Sequence, residues 1–170
     1  MADPVVPVVL VEGESDQRAL ATLAPRLAVP EPTIVVMHGI TNLRAHLRRV
    51  PPGADVRLLH DAGESAYVAR VLEQTAVSVT TSVCRADLED EMIRAVGVAG
   101  MLAVVDAQDE RTSYERMAQQ PAQRDRSDHQ RLHRWLGARS GHKRTYAGLL
   151  AAAVAPDAVP APLREVLAPR

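Results

Sequence analysis

Along residues 5–97 the pattern of apolar and polar positions switches repeatedly between a strand-like and a helix-like period. Val5–Val11 (VVPVVLV) is apolar throughout, as a strand buried on both faces would be. From Ser15 to Leu27 the apolar positions Leu20, Leu23, Ala24 and Leu27 recur at helical spacing, with Ser15 as the expected N-cap. The pattern then predicts a strand at Thr33–Met37, a helix at Thr41–Val50 closed by Pro51-Pro52-Gly53, and a strand at Val56–His60. A helix at Ser65–Gln74, a β-branched strand at Val77–Val83 and a helix at Asp87–Val96 follow. Strands alternating with helices through short connectors imply right-handed βαβ units: an α/β fold, with a parallel four-stranded sheet carrying helices on both faces. After Gly97 the strand signal stops, and helices are expected around Met101–Gln108, Ser113–Gln119, Asp128–Leu136 and His142–Val154. Residues 1–170 thus read as a single domain: an α/β core at 5–97, a helical, basic extension at 98–155, and a tail at 156–170 broken up by Pro156, Pro160 and Pro162.

The strands end in an unusual way. The first runs directly into Glu12, Gly13, Glu14, Ser15 and Asp16; the third into Asp61-Ala62-Gly63-Glu64; the fourth into Cys84-Arg85-Ala86 and then Asp87, Glu89, Asp90 and Glu91. In an open parallel sheet, ligands bind at the carboxyl ends of the strands. Acids delivered there by three strands repel one another, and a hard divalent cation, Mg²⁺ or Mn²⁺, relieves that repulsion. Asp16 and Asp87 also read as helix-terminal acids that complement the macrodipole. Glu89, Asp90 and Glu91 span one helical turn, so they cannot all face one site. Glu12 has no such ordinary reading, because it follows a buried strand directly.

Composition narrows the function. Net charge is −1, but residues 1–110 carry 9 Arg and Lys against 16 Asp and Glu, while residues 111–170 carry 11 against 5. An acidic cation site beside a basic surface for a polyanion fits that split, and so does an Arg-rich solvated helix face. Arg124, Arg126, Arg131, Arg134, Arg139 and Arg144 are the candidates for tracking a phosphate backbone, with surface pairing to Asp125 and Asp128 as the alternative. Lys143 is the single lysine among nineteen arginines, which hints at a need for a compact ammonium. Aromatics are few: Trp135, Tyr67, Tyr114, Tyr146 and no Phe, so bases would find few stacking platforms. The lone Cys84 excludes an internal disulfide and a multi-cysteine metal site, and without partner cysteines His129, His133 and His142 argue weakly for zinc. With no signal-peptide pattern and no apolar run of spanning length, the chain reads as soluble and cytoplasmic, with no membrane partner.

These residues resemble a known family. VLVEGESD matches the first signature of the TOPRIM domain: a hydrophobic strand, Glu, Gly and then Asp. The second signature is Asp-x-Asp at a later strand end; LLHDAG supplies Asp61, with Gly63 in place of the second Asp. ADLEDEMIRAVG and the late Lys143-x-x-x-Ala147 resemble the C-terminal nuclease domain of OLD-family (overcoming lysogenization defect) ATP-dependent endonucleases, over most of residues 5–155. The resemblance implies a TOPRIM, Rossmann-like fold and a metal-dependent endonuclease cleaving or nicking DNA, in DNA repair or phage defence. It also implies one or two ions of Mg²⁺ or Mn²⁺ held by Glu12, Asp16, Asp61, Asp87 and Glu89, with Glu64 and Glu91 as further candidates. Glu12 and Lys143 would be catalytic. OLD nucleases join this domain to an ATPase; with no G-x-x-x-x-G-K-[ST] in the sequence, no ATP site is expected in this chain, and an ATPase partner would be separate. Two other readings stay open: a non-catalytic TOPRIM module that binds nucleic acid or a partner ATPase, and a receiver-like or phosphotransferase domain that binds Mg²⁺ but no nucleic acid.

Overall fold

The computed structural model describes residues 6–169; Val5, the expected start of the first strand, lies outside them. Four parallel strands, β1 (Val8–Val11), β2 (Thr33–Val36), β3 (Val56–Asp61) and β4 (Val79–Cys84), form one sheet in the order β2-β1-β3-β4. Val9 of β1 pairs with Ile34 on one side and Arg57 on the other, so β1 and β3 are the central strands and their side chains alternate between two packed faces. The expected α/β, TOPRIM-like architecture is the one observed.

Helix α1 (Glu14–Arg26) follows β1, α2 (Leu43–Leu47) follows β2, α3 (Ser65–Leu72) follows β3, and α4 (Leu88–Ala107) follows β4. On one face Leu10, Val56 and Leu58 meet Leu43, Leu47, Val68 and Val71 of α2 and α3. On the other, Val9, Val11 and Leu59 join a larger core with α1, α4 and the C-terminal helices α5 (Arg111–Ala118), α6 (Asp128–Gly137), α7 (His142–Ala153) and α8 (Ala161–Leu167).

Several boundaries differ from the pattern. The N-cap of α1 is Gly13, not Ser15; Asp16 at the third helical position reaches back to accept the Gly13 N–H at 2.9 Å, so the carboxylate three residues on does the capping. The helix expected at 41–50 shrinks to a 3-10 turn at Ile40–Asn42 and five residues of α2, consistent with the nearby prolines and Gly53. The helices expected at 87–96 and 101–108 are one element, α4, kinked at Gly97, whose φ of 73° and ψ of 167° suit glycine almost alone.

The proline-rich tail folds back onto the sheet. Pro160 caps α8, which packs against β3 and β4 and buries Leu163, Val166 and Leu167. Arg57, 3% exposed in the middle of β3, donates to the Val166 and Ala168 carbonyls at 2.9 and 2.5 Å and pairs with Asp55 at 2.7 Å. An arginine in a central strand is thus the anchor of the last helix. Helices α1 and α7 pack side by side, and at Gly148 a Cβ would lie 3.0 Å from Arg18 Nε. That close approach brings the start of α7 over the carboxyl edge of the sheet.

Candidate metal centre

Glu12, Asp16, Asp61, Asp87, Glu89 and Lys143 line one cleft of about 220 Å³ at that edge. Each arrives for a local reason. Glu12 is the first residue past β1, and Asp61 is the last of β3. Asp16 is fixed by its bond to Gly13, and Asp87 is the N-cap of α4, accepting the Asp90 N–H at 2.8 Å. Glu89 is in the first turn of α4, and Lys143 is in the first turn of α7. The two readings of Asp16 and Asp87 therefore coincide: each caps a helix and lines the cleft.

Burial and mutual repulsion govern these acids. Desolvation, opposed by the Gly13 N–H and reinforced by Glu89 and Glu12, pushes Asp16 up to about 6. Desolvation, then the charges of Asp16, Asp87, Glu12 and Glu89, push Asp61 up to about 7. At Asp87 burial acts in the same upward direction, but hydrogen bonds from His133 and from the Asp90 backbone outweigh it and hold the carboxyl below its ordinary value. Half-burial alone would weaken the Lys143 ammonium; Glu89, Asp87 and Asp61 outweigh it and raise its pKa.

One carboxylate is distinctive. Glu89 is 5% exposed. Its Oε2 accepts from Lys143 Nζ at 3.1 Å, while its Oε1 is buried with no hydrogen-bond partner. A buried carboxylate oxygen left unpartnered costs about 1–3 kcal/mol, which a bound cation or a water would offset. Asp87, Glu89 and His133 each place a donor atom within 4.8 Å of the other two, and among the described residues no other set of three His, Cys, Asp or Glu does so. Glu12, Asp16 and Asp61 line the same cleft without forming so tight a trio. Oxygen donors, one imidazole and an orphaned carboxylate oxygen fit a divalent cation.

Other expected site residues lie elsewhere. Glu91 turns away: its Oε1 accepts the Arg85 N–H at 2.8 Å and pairs with Arg94 at 3.4 Å. Glu64 ends a 3-10 turn ahead of α3 and does not line the cleft; Gly63 before it has open space around it. The arginines divide. Arg131 is occupied within its own region, donating to the Gln123 and Arg124 carbonyls at 3.0 and 3.1 Å and pairing with Asp128 at 3.1 Å. Arg139 pairs with Glu110 and Arg144 with Glu14, at 3.1 and 2.8 Å. Arg124 is exposed. Arg126 and Arg134 line a second groove of about 760 Å³, which shares Lys143 with the cleft.

The three histidines do not meet. His129 lies 2.7 Å from Asp90, His133 2.8 Å from Asp87, and His142 3.2 Å from Glu110. His133 is the residue that sequence reasoning set aside, as one of three histidines arguing weakly for zinc. Its signal was present, as His129 and His133 share one helix face four residues apart. Without cysteines nearby, that pair gains meaning only from the acids at the start of α4, and Asp87 is 46 residues away.

Comparison with protein-family models and with curated proteins yields no match. Among solved structures, the C-terminal region of the Burkholderia pseudomallei OLD protein aligns with a TM-score of 0.70 at 18% identity, covering 95% of this chain and 94% of that one. Two structures of the C-terminal region of the Xanthomonas campestris pv. campestris OLD protein align at TM-scores of 0.65 and 0.63, with 21% and 20% identity, 95% of this chain covered and 92% and 91% of theirs. At these identities the likeness establishes the fold, which this chain shares with OLD C-terminal regions over nearly its whole length. No helix among the described residues is long and apolar enough to cross a membrane.

Proposed function

We propose that this protein is a divalent-metal-dependent nuclease of TOPRIM type that cleaves or nicks DNA phosphodiester bonds. The observation that carries the reading is Glu89: a buried carboxylate with one oxygen on Lys143 and the other unpartnered, in a cleft shared with four further acids. The shared fold supports it, as do the Glu12-Gly13 and Asp87-x-Glu89 patterns at the strand ends.

Glu12, Asp16, Asp61, Asp87 and Glu89 would hold Mg²⁺ or Mn²⁺, as one ion or two. When bound, the ion supplies Lewis-acid polarisation of the scissile phosphate and a more acidic water for in-line attack. Lys143 places a point charge at the mouth of the cleft, where it can leave Glu89 for a phosphate oxygen that gains charge in the transition state. Packing holds that lysine in place. The preceding residue, His142, is buried against Trp135, ring centroids 4.7 Å apart, and Glu110 accepts from Tyr146 at 2.7 Å one turn along α7. Arg126 and Arg134, in the groove beside Lys143, would take the flanking phosphates.

The test is supercoiled-plasmid nicking with Mn²⁺ by the wild type, Glu12→Gln and Lys143→Ala. Nicking by the wild type alone supports the proposal; equal nicking by all three removes the cleft from the chemistry. A second reading rests on Gly63, which puts no carboxylate where the second TOPRIM signature has one. On that reading the chain binds DNA or a separate ATPase without cutting. Mn²⁺ and DNA binding without nicking would favour it.

A further inference from the structure

We infer that His133 is itself a metal ligand: the nitrogen donor of a mixed site with Asp87 and Glu89 that prefers a first-row transition ion to Mg²⁺. This rests on the divalent-metal reading above and goes beyond it by naming a donor and an ion class.

Two of the three donors stand at the spacing of adjacent ligands on one ion, and the third lies within 4.8 Å of both. His133 Nε2 lies 2.9 and 2.8 Å from the two Asp87 oxygens. Adjacent ligands of an octahedral ion, at bonds of 2.0–2.2 Å, sit about 3 Å apart. An ion beside the His133–Asp87 line would replace the shared proton once the imidazole turns toward it and Glu89, whose donor atom lies within 4.8 Å of the other two, draws in. The imidazole is presented from rigid structure, because its helix buries Leu132, Trp135 and Leu136 on either side of it in sequence. Its partners are equally fixed, Asp87 by its capping bond and Glu89 by burial.

An ordinary His–Asp ion pair does not account for the whole arrangement. It satisfies Asp87 but leaves Glu89 Oε1 buried and unpartnered. Lys143 does not fill that role, since it sits on the other oxygen. A cation held by the three donors, with Oε1 as the Glu89 ligand, would complete it. His129 provides the contrast on the same helix face: it pairs with Asp90, which is also held by Arg94, and it has no third donor.

The donor set then bears on ion choice. Mg²⁺ is held by oxygen, whereas imidazole suits Zn²⁺, Ni²⁺ and their neighbours, with affinity rising from Mn²⁺ to Ni²⁺. One nitrogen among carboxylates should therefore favour Mn²⁺ over Mg²⁺ and Ni²⁺ over both.

The experiment uses the full chain stripped of metal and titrated with Mn²⁺, read by pulsed electron paramagnetic resonance for nitrogen bonded to the ion, and by competition with Mg²⁺ and Ni²⁺. The wild type is expected to show directly bonded nitrogen. His133→Ala and His133→Gln should both lose it, Gln because its amide reaches the Nε2 position and keeps a hydrogen bond to Asp87 but offers no ligand nitrogen. Both should weaken Mn²⁺ by at least about tenfold, and Ni²⁺ by more than Mg²⁺. His129→Ala should bind as the wild type does. Mn²⁺ bound without nitrogen, nitrogen retained in His133→Ala, or wild-type affinity in His133→Gln would each overturn the inference while leaving the metal reading intact. No Mn²⁺ binding by the wild type would overturn both.

Discussion

Lys143 Nζ lies 3.1 Å from Glu89 Oε2, joining the first turn of α7 to the first turn of α4 across the mouth of the acidic cleft. The two residues are 54 apart in sequence. The contact supplies a cation to an acid that is almost wholly buried, and it leaves that cation half-exposed, able to change partner.

If Lys143 serves the transition state, its loss should lower turnover more than DNA affinity. Lys143→Ala is expected to cost about 2–4 kcal/mol of barrier. Lys143→Arg should recover only part of it, because a planar guanidinium does not match a compact ammonium. Single-turnover nicking rates beside DNA affinities for the three proteins decide the matter; equal rates would make Lys143 a structural partner of Glu89 only.

Metal should stabilise the fold. An ion that binds the folded chain alone raises the melting temperature by mass action. Millimolar Mn²⁺ is expected to do so for the wild type, and less for Glu12→Gln. A melting curve indifferent to Mn²⁺ would remove the metal centre.

The metal-free protein should become less stable as pH rises. An unfolded aspartate ionises near 3.8, whereas folded Asp61 does so at about 7 and Asp16 at about 6. Between those values the folded state holds the extra protons, so stability is lost as pH climbs through the window. Asp61→Asn removes the larger effect. At about pH 8 it should raise the melting temperature of the metal-free protein by roughly 2–4 °C, with a smaller gain near pH 5 and little below about pH 4. Thermal melts of both proteins across that range check it; an equal shift at every pH would mean that ionisation of Asp61 in the cleft is not the cause.

DNA affinity should depend on the arginines that remain available. Arg126→Ala with Arg134→Ala is expected to weaken binding and reduce the log–log salt slope by about 0.9 for each duplex phosphate no longer neutralised. Arg131→Ala should instead lower stability with little change in slope, because its guanidinium holds the Gln123 and Arg124 carbonyls. Binding isotherms at several salt concentrations separate the two; a slope that responds to Arg131 and not to the pair would invert the assignment.

Arg57→Met should destabilise the protein by about 2–4 kcal/mol, since the buried carbonyl of Val166 and the carbonyl of Ala168 would lose their donor. A denaturant melt measures this; a change below about 1 kcal/mol would mean that apolar packing alone holds the C-terminal helix.

The sheet was legible in the sequence because its information is local. Apolar runs such as Val5–Val11 and Val56–His60 declare strands, and in a parallel sheet every strand end points to one edge, so Glu12, Asp61 and Asp87 could be assigned to a common site without coordinates. Capping detail was less legible: Ser15 and Asp16 both suit a helix start, and the choice fell to the residue whose carboxylate could reach the Gly13 N–H.

What the tertiary structure alone decided is which polar groups of the helical half face that edge. The rotation of α6 and α7 is set by burying Leu132, Trp135, Leu136, Tyr146 and Leu150 against α1 and α4, and no local pattern encodes the partner helix. That packing turned His133 toward Asp87, 46 residues away, and Lys143 toward Glu89, while Arg131 was drawn into its own loop and Glu91 toward Arg94. It also docked the proline-rich tail as a helix, which buries Leu163, Val166 and Leu167 and gives Arg57 in a central strand its carbonyl acceptors. Strand ends are fixed by backbone direction, which period reveals; side chains on packed helices meet by the burial of their opposite faces, which only the assembled core specifies.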